Sequence, residues 1–433
     1  MSITIVAIGF ATMLGLLFLG IPVAAAIVAV GVLGGLAFYG MPLVDMMGGV
    51  VWTSFNSPSI LAIPLFMLLG ELLLRGGIAD KMFDAFAVWL DRLPGGLLHT
   101  NIATSALFAA TSGSSVATAA TVGTIALPAL NQRNYPMSAS LGSLAAGGTL
   151  GILIPPSINL LVYGSLANVS VGQLFAAGLV PGLLLALCFS LYIAVFQGSS
   201  GRAADGPILS LRTKLSYLRY LVPPLLIFGV VMGSIYGGLA TPTESAALGV
   251  VMSLAILAMI RRLNWGLLLN CCMQAARTTG MTVIVLSCAL LLNVTISMLG
   301  ATQVVTQWVA GFGLGAFSLL LVLVVFYIVL GMFMDAMSML VLTVPIAVPM
   351  VVAAGVDPIW FGIFIILMCE IALITPPVGM NLFVVHGLRR DGGSFHDVVR
   401  GALPYVVVMI GFVILTMLVP DIVLWLPDTL AGR

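Results

Sequence analysis

Ile152-Leu153-Ile154-Pro155-Pro156-Ser157 in the first half of the chain has a near copy in the second, Leu373-Ile374-Thr375-Pro376-Pro377-Val378. The double prolines lie 376 − 155 = 221 residues apart, and Leu127-Pro128 and Val348-Pro349 repeat the offset, 349 − 128 = 221. Ile21-Pro22-Val23 matches Thr241-Pro242-Thr243 at 220, and Gly178-Leu179-Val180-Pro181 matches Gly401-Ala402-Leu403-Pro404 at 223. This concerted spacing outweighs chance likeness among apolar segments. The chain therefore reads as two long, diverged copies of one unit. In a membrane protein, Gly/Pro-interrupted apolar segments at corresponding places in two halves point to a transport site.

Composition makes it a membrane protein. With 61% hydrophobic residues, 7% charged residues and a mean hydropathy of +1.23, the chain cannot hide its apolar surface in a water-soluble core. The apolar stretches match helices crossing roughly 30 Å of hydrocarbon, and they lack the alternation of a barrel. A net charge of +1 without any basic run argues against nucleic acid as a partner. Cys188, Cys271, Cys272, Cys288 and Cys369 show no CxxC spacing, and His99, His386 and His396 lie far apart, so neither disulfides nor zinc are suggested. Residues 2–19 carry no Lys or Arg before their apolar run and read as a first retained crossing.

Apolar runs and breakers place crossings near 2–19, 23–39, 59–74, 137–166 and 176–196, then near 221–237, 244–260, 279–300, 359–387 and 402–420. Two stretches, 100–130 and 313–353, are interrupted by small or polar residues and read as re-entrant hairpins. The expected fold is an all-α integral membrane protein of two repeats, 1–197 and 221–433, joined by a cytoplasmic linker at 198–220. Five crossings per repeat is odd, so the second repeat must be inverted. Cytoplasmic loops retain Lys and Arg, and the charges agree. Arg75, Lys81, Arg92, Arg133, Arg202, Arg212, Lys214, Arg219, Arg261, Arg262, Arg277, Arg389, Arg390 and Arg400 fall on one side, and Arg433 alone on the other. The first hairpin then enters from inside and the second from outside.

The polar residues inside these spans gather at the hairpins and breaks. The first tip is Thr111-Ser112-Gly113-Ser114-Ser115, followed by Thr118 and Thr121. Small hydroxyls can be mere helix packing. A glycine among serines where a hairpin turns, however, opens the backbone, and the resulting oxygens suit a hard cation such as sodium. Pro155 and Pro156 free backbone carbonyls beside Ser157 and Asn159. The offset carries Ser114 to Asp335, and the first break to Pro376 and Pro377, flanked by Thr375, Gly379 and Asn381. Half-helices leaving the breaks aim positive dipole ends inward, which favours an anion between two cation sites. Ser114, Ser115, Ser157, Asn159, Asp335 and Asn381 are the residues expected to face that anion.

Four acids lie within spans, each at a cost of about 2.5 to 3.5 kcal/mol at a helix centre. Asp335 sits at a tip and is assigned to function. Glu71 has Arg75 at i+4 and reads as an ion pair. Glu244 follows Thr241-Pro242-Thr243 and reads as a cap. Glu370 is divided between packing and support of the second break.

The Ser112-Gly113-Ser114-Ser115 tip, the Ile154-Pro155-Pro156-Ser157 break, the Ala240-Thr241-Pro242-Thr243-Glu244 start and the Thr375-Pro376-Pro377-Val378-Gly379-Met380-Asn381 break together resemble the large membrane subunit of TRAP transporters. The resemblance spans nearly the whole chain. It implies a secondary active, sodium-coupled importer of small organic acids in the bacterial or archaeal inner membrane. It also implies an elevator-type fold with scaffold and transport domains, and two partners, a periplasmic substrate-binding protein and a separate small subunit of four helices. It places one sodium site on Ser112, Gly113, Ser114, Pro155 and Asn159, and the other on Gly331, Met332, Asp335, Thr375, Pro376, Gly379 and Met380. The rival readings are a stand-alone dicarboxylate carrier or sodium/proton antiporter of related fold, and an intramembrane serine hydrolase. The last lacks a buried base within reach of a tip serine. C4-dicarboxylates, sialic acids, keto acids and ectoine-like solutes all stay open as cargo.

Overall fold

Helices of the two halves pair along the chain almost as the prolines dictate. A computed structural model describes residues 3–56, 58–198 and 210–432. Its first part holds α1 (Ile3–Phe18), α2 (Val23–Tyr39), α3 (Pro42–Phe55), α4 (Pro58–Arg75), α5 (Ile78–Leu90), α6 (Leu97–Ser112), α7 (Ser115–Gln132), α8 (Met137–Thr149), α9 (Ile158–Ala167) and α10 (Val171–Phe196). After α11 (Leu211–Leu218) come α12 (Val222–Tyr236), α13 (Pro242–Met259), α14 (Trp265–Met298), α15 (Ala301–Ala310), α16 (Ala316–Gly331), α17 (Ala336–Ala353), α18 (Pro358–Leu373), α19 (Met380–Gly387), α20 (Phe395–Leu418) and α21 (Asp421–Leu430). Residues 199–209 of the linker expected at 198–220 lie outside the described residues, as do Arg202 and Arg433 of the charge map, and α11 occupies part of the remainder.

Both interrupted stretches are helix–turn–helix pairs, α6–α7 and α16–α17. Both double prolines lie in breaks, between α8 and α9 and between α18 and α19. The starts of α7 and α17 differ by 336 − 115 = 221, as do those of α8 and α18, 358 − 137 = 221. A kink also recurs. α5 starts after Gly77 at φ +68° and α15 after Gly300 at φ +64°, left-handed values that a residue with a side chain rarely takes.

The two halves differ at one place for a visible reason. α14 is a single helix of 34 residues, whereas the matching stretch of the first half is split into α3 and α4. Pro58 disfavours helix in the residue before it and donates no N–H; its counterpart at 58 + 221 = 279 is Thr279. The crossing expected at 279–300 therefore begins earlier, at Trp265, and that expected at 176–196 begins at Val171. α3, α5, α15 and α21 were not anticipated. Each is too short to span, and a search for long apolar runs passes over such helices.

Among the described residues, α10, α13, α14, α17 and α20 are each long and apolar enough to cross a membrane. The bent pairs α4–α5, at 66°, and α11–α12, at 43°, raise the number to seven. The positive charges gather at one end. The Lys81 ammonium lies over the Tyr220 ring, Trp89 Nε1 donates to the Lys214 carbonyl at 3.3 Å, and Arg133 pairs with Asp91 at 2.6 Å. α6 starts at this end, where Leu97 N donates to the Tyr135 hydroxyl at 3.0 Å. At the other end of the broken helices, the Tyr163 hydroxyl donates to the Pro358 carbonyl at 2.5 Å, bringing the middle of α9 to the start of α18. The two broken helices thus meet head to tail.

Candidate functional site

Each hairpin tip is held by the break of its own half. In the first half Gly113 adopts φ +61°, and a Cβ there would stand 2.7 Å from the Pro156 carbonyl oxygen. Across the contact, a Cβ on Gly151 would stand 2.6 Å from the Ser114 carbonyl oxygen. Two glycines therefore let the backbone of the tip lie directly on the backbone of the break. Ser112 Oγ and Thr118 Oγ1 are 3.0 Å apart, and Thr118 Oγ1 donates to the Ser114 carbonyl at 2.7 Å. Ser114 caps α7 by accepting from Ala117 N, and Ser157 caps α9 by accepting from Leu160 N, both at 3.4 Å. Ser157 Oγ also donates to the Ile152 carbonyl at 2.5 Å. Ser115 and Asn159 are buried alongside, and Pro155 lies within the fully buried break.

The second half repeats the arrangement with different atoms. Val378 N donates to the Met332 carbonyl at 3.3 Å, tying break to tip. Gly331 ends α16 against Ala372 of α18. Asp335 caps α17, accepting from Met337 N at 3.1 Å and Ser338 N at 3.3 Å, and it also accepts from the Ser338 hydroxyl. The Thr375 hydroxyl donates to the Ile371 carbonyl at 2.6 Å. Pro376 is half-buried and Met380 exposed. Gly379, at φ +36°, starts α19 without any side-chain cap. Of the four helices that begin at tips and breaks, three are capped by their own side chains and α19 is not.

Asn381 joins the halves. It is fully buried, its amide nitrogen donates to the Ala145 carbonyl of α8 at 3.3 Å, and its Oδ1 has no hydrogen-bond partner. Among the described residues no hydrogen bond links Ser114 or its tip directly to Asp335. The expected sodium residues therefore fall into two groups, each gathered within its own half. Sequence reading passes over Gly70, Gly151 and Ser338, and it names Thr118 beside the first tip without assigning it to the site. A helical glycine in an apolar run is the signal for the first two: a Cβ on Gly70 would stand 3.0 Å from the Ser112 carbonyl oxygen.

The other acids resolve by position. Glu71 pairs with Arg75 at 2.8 Å. Glu244 forms a capping box, its carboxylate accepting from Thr241 N at 2.8 Å. Glu370 is fully buried one turn before the second break, and neither of its oxygens has a partner, so the partner its burial called for is absent among protein groups.

Comparison with known proteins adds a family and a fold. The tripartite ATP-independent periplasmic transporter family, DctM component, matches residues 10–422. The chain is 35% identical over 376 residues to the C4-dicarboxylate TRAP transporter large permease protein DctM of Pseudomonas aeruginosa, covering 86% of this chain and 87% of that one. To the protein of the same description in Vibrio cholerae it is 33% identical over 453 residues, covering 99% and 98%. It is 32% identical over 407 residues, 94% of its length, to the isethionate TRAP transporter permease protein DctMQ of Oleidesulfovibrio alaskensis, but spans only 64% of that longer protein. Among solved structures, the YdaH transporter of Alcanivorax borkumensis is similar with a TM-score of 0.60, over 87% of this chain and 88% of that one. At 14% identity the likeness concerns the fold alone.

Proposed function

Because the chain belongs to the DctM component family of tripartite ATP-independent periplasmic transporters, we propose that it carries small organic acid anions across the bacterial inner membrane on a sodium gradient. It is a transporter permease and not an enzyme. Its two partners are a periplasmic binding protein, which delivers the anion, and a small membrane subunit. The relatives named for C4-dicarboxylates, sialic acid, ectoine and 2,3-diketo-L-gulonate mark the range of acids from which the cargo is drawn.

The observation that carries this reading is the matched pair of tip–break contacts, together with α19, the one helix start among the four at tips and breaks that has no side-chain cap. Hydroxyl and carbonyl oxygens gather at Ser112, Ser114, Thr118 and Pro156 in one half, and at Met332, Asp335 and Thr375 in the other. Oxygens of this kind suit a hard monovalent cation. The free N–H groups at the start of α19 suit a carboxylate. Asn381 lies in that first turn and reaches across to α8, so an anion there touches both halves. Sodium ions would fasten each tip to its break, and the carboxylate would complete the site.

The two halves, 1–197 and 221–433, are read as inverted repeats of five crossings and a hairpin each. The hairpins and broken helices form a transport domain that slides against a scaffold of the remaining helices. Each tenfold sodium gradient supplies about 1.4 kcal/mol per ion, so two ions allow roughly a hundredfold accumulation before voltage is counted. The test is uptake into proteoliposomes containing this chain and its small subunit, fed by the binding protein. Uptake should require sodium outside. Equal uptake with choline in place of sodium rejects the coupling, and equal uptake without either partner favours a stand-alone carrier.

A further inference from the structure

One seam of the molecule is built unlike its counterpart. α6 and α8 run side by side from the positively charged end toward the first tip and the first break, and their contact carries oxygen at Asn101, Ser105 and Ser143. Thr100, Asn101, Thr104 and Ser105 of α6 and Ser140 and Ser143 of α8 are all fully buried. Asn101 Nδ2 donates to Ser143 Oγ at 2.8 Å, and Ser143 Oγ donates to the Ser140 carbonyl at 2.9 Å. Ser105 Oγ occupies space that Gly147 leaves open, since a Cβ on that glycine would stand 2.8 Å from it. Of the α6 oxygens that meet α8, Asn101 Oδ1 and Ser105 Oγ have no hydrogen-bond partner; Thr100 Oγ1 and Thr104 Oγ1, about 100° further round the helix, have none either.

The other half proves that the fold itself does not require this polarity. α16 follows α6 at 316 − 97 = 219 residues, so the four α6 residues correspond to Leu319, Leu320, Leu323 and Val324, all buried. α18 follows α8 at 221, so Ser140, Ser143 and Gly147 correspond to Phe361, Phe364 and Met368, again buried. The same helix pair packs with leucine, valine and phenylalanine in one half and with hydroxyls and an amide in the other. Buried polar atoms carry a desolvation cost unless protein or ordered water satisfies them. A buried water typically takes about three hydrogen bonds from groups of this kind.

We propose that the α6–α8 seam is a hydrated path along which a monovalent cation passes between the Ser112–Ser114 tip and the positively charged end of the bundle. The path rests on the cation reading of that tip given above. In this structure the two helices are in contact, and water enters as they part. Among the described residues Asn101–Ser143 is the one side-chain hydrogen bond between them. Parting therefore breaks one bond and gives water to two orphan oxygens, Asn101 Oδ1 and Ser105 Oγ. The leucine–phenylalanine seam gains nothing from water and stays shut. The path is therefore one-sided, opening the site toward the end where α6 and α8 begin.

The test uses the full chain assembled with its small subunit, with the five native cysteines replaced. Single substitutions Asn101→Cys, Ser105→Cys and Ser143→Cys are compared with Leu320→Cys and Val324→Cys for reaction with a small charged thiosulfonate in sodium-free buffer. The seam cysteines should react faster by on the order of tenfold or more. Rates as slow as the counterparts overturn the path. Ser105→Ala removes the hydroxyl that faces Gly147; it should slow sodium-driven uptake while the sodium concentration for half-maximal rate stays unchanged. An unchanged uptake rate also overturns the path. Fast seam labelling combined with sodium-independent uptake removes the cation as passenger, and separates that failure from a dry seam with sodium coupling intact.

Discussion

A single carboxylate, Asp335, both starts α17 and places charge at the second tip, held by Met337 N, Ser338 N and the Ser338 hydroxyl. Removing a cap of this kind costs about 1 kcal/mol, small against a typical domain stability of about 5–15 kcal/mol. Asp335→Ala should therefore lower sodium-driven uptake by on the order of tenfold or more, while the amount of protein in the membrane hardly changes. Equal losses of both would make the residue structural. Gly151→Val places side-chain atoms where the Ser114 carbonyl oxygen lies 2.6 Å from the ideal Cβ position, so it should abolish uptake. Gly34→Ala, with nothing within 4 Å of its Cβ position, should leave uptake at the wild-type rate. Ser112, Gly113, Pro155 and Asp335 were legible as tip and break positions because glycine, proline and polar residues stand out in an apolar run. Gly151 and the bridging of Asn381 to Ala145, 236 positions away, were not, since only the folded chain supplies their partners.

Helices and breaks were legible to the extent that period and punctuation mark them. The double prolines announced both broken helices and the offset announced their pairing. α3, α5 and α15 escaped because they are too short to cross a membrane, and α14 was cut short because its Arg277 and neighbouring polar residues hid its first turns. The Pro58–Thr279 contrast makes a prediction at this scale. Thr279→Pro should break α14 where α3 and α4 divide, at a cost of about 3 kcal/mol, visible as a lower midpoint in thermal unfolding. An unchanged midpoint would mean that α14 need not be continuous. The loop before α20 adds a pH effect. Arg389 bonds both oxygens of Asp391, and these bonds hold the Asp391 carboxyl down to about 2 from its ordinary 3.8. Depression of this sign stabilises the fold fully above the ordinary value and is lost as pH falls from there through about 2. Between about pH 5 and pH 2 the wild type should lose more stability than Arg389→Gln. Parallel losses would show that the loop pair contributes nothing.

Across the whole molecule, the repeated unit gives two tip–break contacts and one tip-and-break helix start without a side-chain cap, and Asn381 ties the second break to the first half. The all-helical, membrane-spanning character and the family were legible from composition and motifs, since they follow from the sum of many residues. Chemical differences between matching seams become visible only once helices are aligned in space. As proposed, two cation cradles act together on one anion. The most direct measurement is the initial rate of organic acid uptake as a function of external sodium, in proteoliposomes holding the chain and its small subunit and supplied by the binding protein. A sigmoidal rise, turning hyperbolic in Asp335→Ala, is the predicted result; a rate indifferent to sodium would contradict the account.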